Sequence, residues 1–75
     1  MSGVAVLGAG SWGTALANHL AGKGEDVVLW AHDPAIAEAI TRERENPVYL
    51  PGVQLATSLR ATADPVEAAR GRRVL

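Results

Sequence analysis

Val4, Ala5, Val6 and Leu7 follow one another without a polar interruption, and Gly3 and Gly8 close the run at its two ends. A strand with one wet face alternates, so an unbroken run fits a central strand of a parallel sheet covered on both sides. At Ser11 the period changes. Trp12, Leu16 and Leu20 recur at i, i+4 and i+8, with Ala15 and Ala17 filling in, which predicts a helix to about Lys23, stopped by Gly22 and Gly24. Val27, Val28, Leu29 and Trp30 repeat the unbroken apolar pattern as a second buried strand.

Asp33-Pro34 has the chemistry of a helix start, with the aspartate as N-cap and the proline at N1. Ile36, Ala37 and Ile40 give this second helix an apolar face, and Glu38 and Arg42 pair at i, i+4 on the other. Asn46-Pro47 and Pro51-Gly52 mark the loop that follows, and a short strand is expected around residues 58–61. Asp64, Pro65 and Glu67 combine an N-cap, an N1 proline and a capping-box glutamate, which opens a brief helix to about Ala69. After a turn at Gly71, Arg73, Val74 and Leu75 read as the onset of a further strand.

Strands and helices in this alternation belong to an α/β, doubly wound parallel sheet, here its N-terminal part over residues 1–75. Because the last strand only begins at Arg73, the first strand is expected to lack that neighbour and to present an apolar edge to other chains.

Composition narrows the chemistry. Nearly half of the 75 residues are hydrophobic and the formal net charge is −1, as in a soluble globular segment rather than a disordered tail. The absence of Cys excludes disulfides and thiolate chemistry, and with two histidines no metal site is expected. The basic residues form no stripe, so nucleic acid is not an expected partner; Arg70, Arg72 and Arg73 read as a solvated loop. No run approaches the roughly 20 apolar residues of a membrane span. The start lacks a basic leader, and a cytoplasmic location is expected.

Gly8, Gly10 and Gly13 acquire meaning from their position, between a strand and a helix, with polar residues at the end of the second strand about 20 residues on. In that setting Gly8 allows the tight turn, Gly10 lets backbone approach a pyrophosphate, and Gly13 lets the helix pack close to the sheet. The backbone N–H groups of Ser11 and Trp12, on the first helical turn, are candidate donors to the phosphates. The pattern therefore predicts a Rossmann-type site for a dinucleotide. Asp33 has two readings, ribose acceptor and helix cap, and the Asp-Pro pair favours the cap. That leaves His32 nearer the ribose, with an exposed loop histidine as its plain alternative. His19 is expected on the surface of the first helix.

The segments GAGSWGTALA, VVLWAHDP and ENPVYLPG together resemble the N-terminus of the NAD(P)-dependent glycerol-3-phosphate dehydrogenases, the bacterial enzymes in particular. The resemblance covers essentially the whole chain, which is about the first quarter of a family member. It implies reversible hydride transfer between NAD or NADP and dihydroxyacetone phosphate, giving sn-glycerol 3-phosphate for phospholipid synthesis. It also implies cofactor contacts at Gly8, Gly10, Ser11, Trp12, Gly13, His32 and Tyr49. Tyr49 has a plain alternative as an anchor beside Leu50-Pro51. The family's catalytic lysine and helical substrate domain are expected beyond Leu75, so no catalytic residue is assigned here; Lys23 reads as a helix-cap cation. Family members are commonly dimers, and a homodimer is expected of the complete enzyme. Two other readings stand beside this one: a non-catalytic dinucleotide-binding module, and a related dehydrogenase with another substrate.

Overall fold

A computed structural model of the chain describes residues 3–75. The elements are β1 (Gly3–Leu7), α1 (Ser11–Gly22), β2 (Val27–Trp30), α2 (Pro34–Glu43), β3 (Arg60–Thr62), α3 (Pro65–Ala69) and β4 (Arg72–Val74). The four strands form one sheet in the order β3-β2-β1-β4, and each neighbouring pair is parallel.

Register explains the unbroken apolar runs. Val4 is paired with Val27 and Val6 with Leu29, and these four side chains cluster with Ala17 and Ala21 of α1, Ile36 and Ile40 of α2, and Leu55 and Leu59 of the long connection. The alternate positions Ala5 and Val28 are buried as well, and α3 lies against all four strands with Ala68 fully buried.

Four expectations from sequence are corrected here. First, the buried side of α1 carries Gly13, Thr14, Ala17 and Ala21, whereas Trp12 is 76% exposed and Leu16 and Leu20 are half-buried. Small residues take the inner side because the helix sits so close to the sheet: a Cβ on Gly13 would lie 2.0 Å from the Gly8 carbonyl oxygen. Second, the third strand starts two residues later than expected and ends one residue later, at Thr62. Leu59 is still turning, its N–H bonded to the Ala56 carbonyl and its side chain fully buried, so pairing starts at Arg60.

Third, β1 does not lack a second neighbour. Gly3, Val4 and Ala5 pair with Arg72, Arg73 and Val74, and reciprocal bonds of Leu75 with Leu7 and Ala5 extend the pairing. β1 is therefore an inner strand, and among the described residues the outer strands are β3 and β4. Fourth, Arg72 belongs to β4 rather than to a loop, one residue ahead of the strand onset expected at Arg73.

Local chemistry sets the helix boundaries. At the end of α1 the Gly24 N–H bonds to the Ala21 carbonyl and the Glu25 N–H to the Leu20 carbonyl, with Gly24 at φ +93°; this is a Schellman stop. The Asp64 carboxylate accepts from the N–H groups of Val66 and Glu67 at 3.0 and 3.4 Å. Asp64→Ala is expected to cost about 1 kcal/mol, read as a lowered urea midpoint with unchanged slope.

Candidate functional site

Where the chain leaves β1 and β2, a cavity of about 350 Å³ opens. Gly8, Ala9 and Gly10 line it from the β1 side and Ala31, His32 and Asp33 from the β2 side, while Ile36 of α2 and Tyr49 of the long connection complete it. Parallel α/β sheets bind ligands in this position, outside the carboxyl ends of their strands.

The three glycines serve different ends. Gly8 has φ +111°, a conformation that L side chains rarely adopt, and its N–H bonds to the Trp30 carbonyl at 3.0 Å, continuing the β1–β2 pairing to the rim of the cavity. Gly13 is a packing residue, as its distance to Gly8 requires. Gly10 is the N-cap of α1, and a Cβ built there meets nothing within 4 Å. Among the described residues nothing crowds a side chain at that point; what its absent side chain preserves is the open space of the cavity.

The end of α1 at the cavity is also electrically distinctive. Asp33 caps α2 and Asp64 caps α3, yet no side chain caps α1. Its first-turn N–H groups have no intrahelical acceptors, and the positive end of the helix dipole lies at Gly10. Such an end suits an anion.

Of the seven residues singled out from sequence, Gly8, Gly10, His32 and Tyr49 line the cavity. Ser11, Trp12 and Gly13 do not. The Ser11 hydroxyl donates to the Tyr49 carbonyl, so its side chain holds the long connection and only its backbone is available to a ligand. Trp12 is turned to solvent. Asp33 has both attributes weighed for it: Oδ1 accepts from the Ala35 N–H at 2.9 Å, and the residue lines the cavity. His32 stands edge-on to Trp30, ring centroids 5.9 Å apart, and the Trp30 Nε1–H donates to the Ala63 carbonyl at 2.9 Å.

Sequence reasoning missed Asn46 and Thr14. Asn46 is fully buried and Thr14, on the inner side of α1, is too. A threonine sharing the i, i+3, i+7 row with Ala17 and Ala21 is the available signal, because a polar group on a buried helical face has to find a partner.

An anionic, extended ligand fits this arrangement: uncapped N–H groups and missing side-chain bulk at the β1 end, the polar side chains of His32 and Asp33 at the β2 end. Fold and site together define a Rossmann-type α/β domain. A family model described as NAD-dependent glycerol-3-phosphate dehydrogenase N-terminus matches residues 3–75, and the chain belongs to that family.

A curated glycerol-3-phosphate dehydrogenase (NAD(P)+) from Nitratidesulfovibrio vulgaris is 60% identical over 72 residues, which cover 96% of this chain and 22% of that relative. The crystal structure of glycerol-3-phosphate dehydrogenase from Coxiella burnetii superposes with a TM-score of 0.86 at 39% identity, covering 95% of this chain and 22% of that one. The structure of the Saccharomyces cerevisiae enzyme gives 0.82 at 29% identity over 92% of this chain and 23% of the other. The chain thus spans about a fifth of the length of the proteins it matches. Among the described residues, no helix is long and apolar enough to cross a membrane.

Proposed function

We propose that residues 1–75 form the adenosine- and pyrophosphate-binding portion of a glycerol-3-phosphate dehydrogenase, interconverting dihydroxyacetone phosphate and sn-glycerol 3-phosphate. The observation that carries this reading is the uncapped N-terminus of α1 at a cavity where Gly10 leaves side-chain space unfilled. The backbone N–H groups of Ser11 and Trp12 hold the pyrophosphate, Gly8 and Gly10 admit it, His32 faces the ribose, and Tyr49 walls the site. When bound, the dinucleotide supplies or accepts the hydride. The names of the relatives include both NAD and NADP, and His32 suits either, being able to meet a 2′-phosphate when protonated.

The catalytic lysine and the helical substrate domain belong to other parts of the complete enzyme, a cytoplasmic homodimer with no nucleic-acid partner. Reduction of a ketone needs a cationic acid to stabilise and protonate the developing alkoxide, and among the described residues no lysine or arginine lines this cavity.

Titration of the 75-residue chain with NADH and NADPH, followed by Trp12 and Trp30 fluorescence with light scattering to exclude aggregates, tests the reading. Saturable quenching that ADP-ribose competes away is expected, without turnover of dihydroxyacetone phosphate. Absence of binding by a folded monomer overturns it.

A further inference from the structure

The long connection between α2 and β3 contributes Tyr49 to the cavity, and the question is what holds it there. Its outer part is fixed to neighbouring elements: the Leu55 N–H donates to the Arg44 carbonyl at 2.8 Å and the Ala56 N–H to Asn18 Oδ1 at 2.7 Å. Near Tyr49 the connection meets the glycine loop, and two side chains make the junction. One is Ser11, through an exposed hydrogen bond to the Tyr49 carbonyl. The other is Asn46. Its Nδ2 donates to the Ala9 carbonyl at 2.9 Å and to Thr14 Oγ1 at 3.0 Å, while its Oδ1 accepts from the N–H groups of Tyr49 at 3.1 Å and Val48 at 3.3 Å.

The partners fix the orientation of the carboxamide. A carbonyl only accepts and a backbone N–H only donates, so no flipped amide satisfies both ends. Asn46 is fully buried, and water cannot replace bonds lost there, as it can at Ser11. One side chain thus ties Ala9, which lines the cavity, to the turn that presents Tyr49.

We propose that Asn46 is a positioning residue for dinucleotide binding: its buried carboxamide fastens the Tyr49-bearing segment to the glycine loop and so sets the width of the cavity without touching the ligand. Thr14 completes the fastening. The inference rests on the dinucleotide reading above, and its test separates the two.

Asn46→Asp is the informative change. A carboxylate still accepts from the two N–H groups, but it sets an oxygen against the Ala9 carbonyl, pushing the segment away from the glycine loop. NADH affinity of the folded chain, measured by calorimetry with urea melts in parallel, is expected to fall about tenfold. A merely structural role lowers the urea midpoint and leaves the affinity of the folded fraction intact. Because Asn46 acts through the segment carrying Tyr49, Asn46→Asp in a Tyr49→Ala background is expected to weaken binding by no more than about twofold further.

Thr14→Val is expected to weaken binding about threefold and Thr14→Ser, which keeps the hydroxyl, to restore it; this pair carries the test if Asn46→Asp does not fold. Unchanged affinity in Asn46→Asp, penalties that multiply in the double variant, or equal affinities for Thr14→Val and Thr14→Ser overturn the proposal. A folded parent chain that binds no NADH removes the dinucleotide reading and this inference together, whereas normal parent binding with indifferent variants removes the inference alone.

Discussion

Gly13→Ala is expected to remove much of the chain's stability. The new Cβ would lie 2.0 Å from the Gly8 carbonyl oxygen and 3.2 Å from its carbon, and both are backbone atoms that no side-chain rotation can move aside. Relief requires α1 to lift from the sheet, which loosens Ala17 and Ala21 from the core they share with Val6 and Leu29. Overpacking of this kind costs about 3 kcal/mol or more. A domain of this size holds roughly 4 to 10 kcal/mol in all. Urea unfolding followed by tryptophan fluorescence should show the midpoint collapse, and a midpoint equal to that of the parent would mean that α1 does not pack against the glycine loop as described.

Gly10→Glu is expected to have the opposite profile. A side chain at this position enters open space, and a carboxylate near an uncapped helix N-terminus is electrostatically welcome, so stability should change by less than about 0.5 kcal/mol. Binding should not survive. The added charge occupies the place proposed for the pyrophosphate, and like charges brought together cost several kcal/mol, on the order of a hundredfold or more in affinity. Calorimetric titration of parent and variant with NADH measures the difference. Equal affinities would place the ligand elsewhere than at the N-terminus of α1. Taken together, the two substitutions are expected to separate a glycine required by the fold, in the first turn of α1, from one proposed to serve the ligand at its N-cap three residues earlier.

What could be read from sequence was mostly local chemistry. The Asp-Pro pairs at 33–34 and 64–65 specify helix starts through bonds spanning two or three residues, and both caps are present. The glycine loop declares itself through the elements on either side of it. Misreadings arose where distant parts of the chain decide. Trp12, Leu16 and Leu20 have helical spacing, but which stripe faces inward depends on how near the sheet comes, and that favours Gly13 and Ala17.

Asn46 precedes a proline and reads as a turn residue. Its bond to Ala9 joins positions 37 apart, so its burial has no local signature. Strand order is different: the alternation of elements makes the strand beginning at Arg73 the neighbour of β1, and what no local signal near Arg72 announces is that its pairing with Gly3 is already made.

That last pairing also bears on how the chain acquires its shape. β1 is made before the other six elements of this domain, yet its second flank stays open until residues 72–74 have been made, because Gly3 meets Arg72. Closing so wide a loop is entropically costly before any contact rewards it, and folds dominated by distant pairings form slowly. Meanwhile α1 and β2, which follow β1 directly, can assemble on its other side. Until residues 72–74 have been made, one side of β1 therefore has no partner within this domain. In that interval, rather than in the finished fold, this strand is most open to pairing with another molecule.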